Sequence, residues 1–339
     1  MASGTLALTF NDLRKRQAPD GTIDKIIETL EQSDPILEHI TWKQGNLPIG
    51  NQTTQRTSLP EPTLRAINQG VITSKSTTRQ VTDTCCLLED RSEVDTELLA
   101  LEPDPQAFRM SEDLAHVQGF SHKVANMIFY GDSDANIDEF NGLAKRYNSF
   151  GGKKGDASYQ VRDAGGTSDG ALSSCYLVGW GDSVSGIYPK FGYAGLKRQD
   201  LGEYDAHDAN GRPFRAVGTL FKWKPGLMVA DPRMVAAVRN IDTKALLAST
   251  ATAQARRSLM EQLVYAKNSL RRIQGNVSPK WYVSEKVYDF LEIYLLDKSN
   301  VHVTKETLTN GLSILAIFGI PVFKEDALLD TENHISEAK

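Results

Sequence analysis

Cysteine is scarce in this chain of 339 residues: Cys85, Cys86 and Cys175 are the only three. Three are too few for a disulfide framework, and the adjacent pair cannot easily bridge to itself, so buried free thiols in a reducing compartment are expected. No run of about 18 uncharged apolar residues occurs, which excludes a membrane-spanning helix and leaves no membrane partner. The amino terminus, MASGTLALTFNDLRKRQ, places its apolar stretch before its charges, the reverse of a secretory signal, so none is expected. An excess of positive charge is missing too. Lys and Arg number 38 against 43 Asp and Glu, a net charge of −5, which argues against a dedicated nucleic-acid binder with a basic footprint.

Catalytic signatures are also lacking. There is no GxxxxGK[ST] phosphate loop, no glycine cluster with dinucleotide-binding spacing after a strand, no GxSxG elbow and no HExxH. The six histidines are scattered, and His116 and His122, six apart, fall on different faces of a helix. Asp132-Ser133-Asp134-Ala135-Asn136 opens like a calcium loop. Its sixth position is Ile137 where glycine is needed, and its twelfth is Leu143 where glutamate is needed. A polar turn whose Asp side chains cap backbone amides is the expectation there. No catalytic residue, metal or cofactor is assigned, and the chain reads as a non-enzyme.

What is present describes a globular protein. The chain is 40% hydrophobic and 24% charged, with a length suited to two domains or one elaborate one. Residues 11–39 have helical spacing, with Ile23, Ile26, Ile27 and Leu30 on one face and Ser33-Asp34-Pro35 as the stop. Residues 43–84 differ from everything around them: twelve Ser or Thr, two acidic residues, no aromatic and only sparse large apolar side chains. Such a stretch cannot bury enough apolar area to offset its own chain entropy. Its Thr and Val content favours strands, and two arms either side of Pro60-Glu61-Pro62 suit a long polar hairpin. A hairpin of that length is marginal alone, so it either docks on another surface or is a flexible insertion.

The acidic stretch LLEDRSEVDTELLAL reads as an edge strand leading into a turn. Pro103-Asp104-Pro105 then opens a long amphipathic helix to about Tyr130, with Phe108, Leu114, Val117, Val124, Met127 and Ile128 as its apolar positions. A loop-like region follows over 131–171. Strand-like runs come next: SSCYLVGWG, SGIYPKFG, RPFRAVGTLFKWK and LMVADP. The last two are expected to pair as a hairpin turning at Lys224-Pro225-Gly226. Helices are expected from ADPRMVAAVRNI, from the amphipathic ATAQARRSLMEQLVYAKNSLRRIQ with Leu259, Leu263, Leu270 and Ile273 inward, and from SEKVYDFLEIYLLDK capped by Ser284. The apolar strand NGLSILAIFGIPVF closes the pattern.

Two charge clusters remain. Arg256, Arg257, Lys267, Arg271 and Arg272 lie on the outer face of a helix, where they are solvated or touch another subunit, with nucleic-acid phosphate as the lesser alternative. Glu89, Asp90, Glu93, Asp95 and Glu97 form an acidic strip without His, Lys or metal partners nearby in sequence. A strip of intersubunit ion pairs suits it better than an acid/base pair.

The order of elements resembles the major capsid proteins of tailed bacteriophages. The stretches that carry the resemblance are LLEDRSEVDTELLAL before the long helix, MIFYGDSDANIDEFNGL after it, FKWKPGLMVADPRMVAAVRNI, and the terminal FGIPVFKEDALLDTE. The resemblance implies an α+β phage capsid fold. Residues 1–40 would be an amino-terminal arm and 41–88 an extended loop. Residues 89–240 would be a peripheral domain with a spine helix over 103–130 and a hairpin around 212–231. Residues 241–318 would be an axial domain, and 319–339 a terminal strand and tail.

The same resemblance implies a virion structural protein, assembled in the host cytoplasm, that forms hexamers and pentamers of an icosahedral shell around double-stranded DNA. Scaffolding, portal and decoration proteins would be its partners, with non-specific contact to the packaged DNA. Leu47, Ile49, Arg56, Leu59, Arg65, Glu93, Asp95, Glu97, Arg256, Arg257, Arg271 and Arg272 are then the expected intersubunit contacts. Composition is compatible with this, because shells close through repeated, modest heterologous contacts. A soluble α+β enzyme without a known motif and a cellular encapsulating shell protein remain the alternatives.

Overall fold

The computed structural model describes residues 34–101, 103–208, 210–247, 253–270, 277–295, 303–307 and 313–338. Most of the helix expected over 11–39 lies outside these residues, as do Ile273, Arg271 and Arg272. The elements in chain order are α1 (Ile36–His39), β1 (Trp42–Gln44), β2 (Gly50–Ser58), β3 (Thr77–Thr84), β4 (Leu88–Asp95), α2 (Thr96–Ala100), α3 (Pro105–Tyr130) and α4 (Leu143–Arg146). They continue with β5 (Val161–Asp163), β6 (Leu172–Trp180), β7 (Val184–Tyr188), β8 (Lys197–His207), β9 (Pro213–Trp223), β10 (Gly226–Val229), β11 (Val235–Asp242), α5 (Thr243–Leu247) and α6 (Ala253–Ser269). The last are β12 (Ser278–Val283), α7 (Glu285–Leu295), β13 (Val303–Thr307), β14 (Ser313–Ile317) and β15 (Ile320–Lys324).

These elements form two compact units. One comprises Leu87–Val124 and Tyr193–Pro225; the other comprises Ser33–Cys86, Ala125–Gly192 and Gly226–Lys339. The first unit is a three-stranded antiparallel sheet in the order β4-β9-β8, with α3 on one face. β4 is an edge strand, as its acidic alternation implied. Phe221 of β9 is fully buried against the helix, stacked on the His116 ring at 5.7 Å and near Phe120 at 6.4 Å. A small cluster of Val94, Leu98, Leu99 and Phe108 closes the end where β4 passes into α2.

The second unit is built on a seven-stranded mixed sheet in the order β13-β14-β15-β12-β6-β11-β5. Every residue of β6 is buried. Cys175 and Leu177 join Val238, Trp281, Val283, Leu263, Phe290 and Leu291 in the main core, which includes residues of α6 and α7. Tyr176 meets Phe129, and Phe129 also meets Tyr282. Covered faces of this kind turn alternation into a continuous apolar run. β14 and β15 are joined by a two-residue turn at Phe318 (φ 53°) and Gly319 (φ 75°), the left-handed pair that matches strand twist in tight hairpins. A third sheet, β1-β7-β10, and the β2–β3 ribbon complete the unit.

Several expectations need correction. The hairpin at Pro225 does not form: β9 pairs with β4 and β8, while β10 pairs antiparallel with β7. Pro225-Gly226 is the point where the chain leaves one compact unit for the other. The run after Asp231-Pro232 is not a helix either. One 3-10 turn at Pro232–Met234 leads into β11, whose Val235, Ala236, Ala237 and Val238 are fully buried between β6 and β5. Tertiary pairing outweighed the helical start signal there. By contacts within the chain, residues 125–192 and the strands from Gly226 onward pack together in the second unit. Strand β8 was not expected at all, because most of its residues are exposed and it carries almost no apolar signal.

Candidate assembly surfaces

The β2–β3 ribbon is two structures in one. Its root is held firmly. Asp83 is buried, accepts the Val229 amide at 3.2 Å and pairs with Arg146 at 2.7 Å. Arg146 also donates to the carbonyl oxygens of Asn141 and Leu227. Gln55 donates to the Ala230 carbonyl, and the Cys85 amide to that of Ile49. Burial first, and the nearby Asp83 second, push the Cys85 thiol up to about 12, so it stays protonated. Cys86 and Cys175 are buried, and no disulfide joins the three.

Beyond Ser58 the character changes. Residues 59–76 are exposed almost throughout, and Leu59, Leu64, Ile67, Val71 and Ile72 are all 62% or more accessible. Five large apolar side chains in one uncovered loop are more than scattered surface residues explain. Of the expected contacts, Leu47 is half-buried at the root, where its carbonyl accepts the Lys190 amide. Ile49, Arg56, Leu59 and Arg65 are exposed.

The acidic strip is engaged within its own unit. Glu89 pairs with Lys222 at 3.0 Å and Asp90 with His116 at 2.5 Å. Glu93 pairs with Arg91 at 3.2 Å and accepts the Tyr204 hydroxyl at 2.6 Å. Asp95 accepts the Glu97 amide and so caps α2, leaving Glu97 exposed in its first turn. Two of these partners, Lys222 and Tyr204, arrive from strands over a hundred residues away, where sequence proximity could not show them. The Tyr204 ring lies flat across Gly218, where an added Cβ would fall 2.5 Å from it, with the Arg91 guanidinium 5.1 Å from the ring centre. On the basic helix, Arg257 pairs with Glu261 one turn on at 3.0 Å. The Arg256 side chain lies outside the described residues.

Helix α3 carries a second exposed apolar surface. Leu114, one of the apolar positions of the helix, is 58% accessible and continues a stripe from Met110 to Val117. The inward phase is set by Phe108, Phe120 and Val124, all buried. The stripe lines a groove of about 430 Å³ in the first unit, flanked by the ion pairs Arg109–Asp200 (3.2 Å) and Arg198–Asp113 (2.5 Å).

The calcium-like loop holds a different cation. The Lys145 ammonium sits 2.9 Å from Asp132 and 2.8 Å from Asp134. Asp132 accepts the Asp134 amide and Asn136 the Asp138 amide, as expected of a capped turn. The Lys145 hydrogen bond holds the Asp132 carboxyl below its usual range. Calorimetric titration of calcium is therefore expected to show no saturable site. A stoichiometric site that disappears in Asp134→Ala would mean that calcium displaces Lys145. Among the described residues, no group of three metal-ligating side chains converges.

The sequence model of major capsid protein GP7 matches residues 18–336. The chain belongs to this major capsid protein family. It is a structural protein that forms the capsid shell, and its mixed α+β fold is that of phage capsids. It is similar to a chain in the near-atomic-resolution structure of bacteriophage Epsilon15, with 29% identity, 99% of each chain covered and a TM-score of 0.77. The bacteriophage JBD30 capsid shares the fold at 10% identity and a TM-score of 0.50, over 88% of this chain and 93% of that one. No curated protein sequence matches. Shell membership means that copies of this capsid protein assemble with one another, so the exposed apolar loop and the groove on α3 are its leading candidates for contacts between copies.

Proposed function

We propose that this capsid subunit assembles into hexamers and pentamers of an icosahedral head around double-stranded DNA, and that residues 59–76 are its clasp on a neighbouring copy. The reading rests on one observation: the β2–β3 ribbon is anchored at its root and presents five large apolar side chains beyond it that stay exposed among the described residues. Heterologous contacts of this kind join two different patches on identical subunits. The groove on α3 offers apolar surface of matching character. In this reading residues 1–40 act as an arm, 41–88 as the extended loop, the unit built on α3 as the peripheral domain and 241–318 as the axial domain. The subunit performs no catalytic step of its own. Assembly in the host cytoplasm, scaffolding, portal and decoration partners, and non-specific contact with packaged DNA belong to the same reading.

Replacing residues 59–76 by an Asn-Gly turn tests it, since Ser58 and Thr77 are already cross-strand partners just beyond a bulge. The variant is expected to keep its melting temperature within a few degrees and to stay as free subunits or capsomers in electron micrographs. Intact shells from the variant would overturn the clasp. Unfolding at low temperature would place the loop in the subunit's own core.

A further inference from the structure

The end of β15 carries a carboxyl group in an unusual place. Glu325 is fully buried, its backbone amide donates to the Val283 carbonyl of β12, and its Oε2 accepts the Ile36 amide at 3.1 Å. The Asp34 carboxyl lies near enough to the same group to add to its hold on a proton. A fully buried carboxyl group beside a second acid favours its protonated form. We propose that Asp34 and Glu325 form a proton-dependent latch that fastens residues 34–40, the joint between the amino-terminal segment and the sheet, and that the latch loosens as the medium becomes alkaline. Residues 34–40 are also held by the buried side chains of Ile36 and Ile40, by the ring contact of His39 with Phe323 at 4.2 Å, and by the bond between His39 Nδ1 and the Tyr282 hydroxyl.

The charged and titratable groups around the latch fix its working range. Burial is the chief cause, with Asp34 and Asp326 adding to it, that raises Glu325 to about 9. From β12, Tyr282 faces His39, receives the Trp180 indole N–H at 2.7 Å and shares a hydrogen bond with His39 Nδ1 at 3.0 Å. Burial first and Lys280 second depress His39 to about 4, which keeps the ring neutral. Lys324, next to Glu325 in β15, pairs with Glu285.

Opening the joint exposes both Glu325 and His39 to water, where they titrate at about 4.3 and 6.5. Glu325 then favours the closed form below its exposed value and loses that preference up to about 9. His39 favours closure above its exposed value and loses it as pH falls toward about 4. The two slopes oppose each other between about pH 4.3 and 6.5. Between about 6.5 and 9 only Glu325 acts, and the open population should rise about tenfold per pH unit.

Hydrogen–deuterium exchange of the peptide spanning residues 36–40, in the full-length protein, measures this directly. After correction for intrinsic exchange, protection is expected to fall about thirtyfold between pH 7 and 8.5. Glu325→Gln keeps the shape and the acceptor for the Ile36 amide but cannot ionise, so its protection should stay flat over that range. Asp34→Asn should retain most of the dependence, because burial is the larger cause. Equal protection at pH 7 and 8.5 in the unaltered protein, or an equal fall in Glu325→Gln, would overturn the latch. If Glu325→Gln does not fold, the profiles of the unaltered protein and Asp34→Asn still decide the matter.

Discussion

Arg239→Leu should abolish soluble, folded subunit. Arg239 sits in β11 with 6% of its surface accessible and donates to Glu332 at 2.8 Å, to Ser174 at 3.0 Å, and to the carbonyl oxygens of Ala144 and Tyr147. It therefore ties β11 and its neighbour β6 to α4 and to the carboxy-terminal tail. Glu332 is equally buried, accepts from Ser174 and receives the Tyr130 hydroxyl at 2.5 Å. Burial first and Glu332 second push that hydroxyl far above its ordinary range, so it remains a donor. Removing the guanidinium leaves a buried carboxylate without its counter-charge, at a cost of about 3–5 kcal/mol. Domain stability as a whole is only about 5–15 kcal/mol. The soluble fraction at 20–37 °C and the denaturation midpoint report the loss. The double variant Arg239→Leu/Glu332→Leu removes both charges and should recover much of it. A single variant as stable as the unaltered subunit would show that water reaches Glu332.

Val124→Asp is expected to be comparably damaging. Val124 is fully buried on the same face of α3 as Phe120 and Ile128, which lie one turn to either side. A carboxyl group there either ionises without a partner or holds its proton in an apolar site, and either state costs several kcal/mol. Val124→Ala, which removes only two methyl groups, should cost about 2 kcal/mol and still fold. Comparing the two by thermal denaturation separates charge from volume. Normal assembly of the Asp variant would mean that Val124 meets solvent in the shell.

Much of the architecture was written in local patterns. Helix α3 is expected from Pro103-Asp104-Pro105 and its apolar spacing, and it runs from Pro105 to Tyr130. Strands β4, β6 and β7, helices α6 and α7 and the ribbon within 43–84 follow from composition and period in the same way. The ribbon was the clearest case. A stretch without aromatics and with twelve Ser or Thr has no core to make, and its distal half is exposed in the folded subunit.

Pairing was not legible. β9 and β10 are adjacent in sequence and separated by Pro225-Gly226, yet each found its partners elsewhere, because hydrogen-bond partners are chosen by the packing of whole sheets. The run VAAVRNI could be a helix or a doubly buried strand on period alone, and only its neighbours β5 and β6 decided for the strand. The buried ion pairs were equally silent: Arg239 with Glu332 and Asp83 with Arg146 are 93 and 63 residues apart. A charge in an apolar run marks a position that needs a counter-charge, but it does not name the partner. By itself the sequence determined which segments could bury apolar surface and which could not, since that depends on each segment's own side chains. The tertiary structure decided which strands met and which charges were neutralised, since those depend on contacts that chain entropy makes improbable until the core has formed.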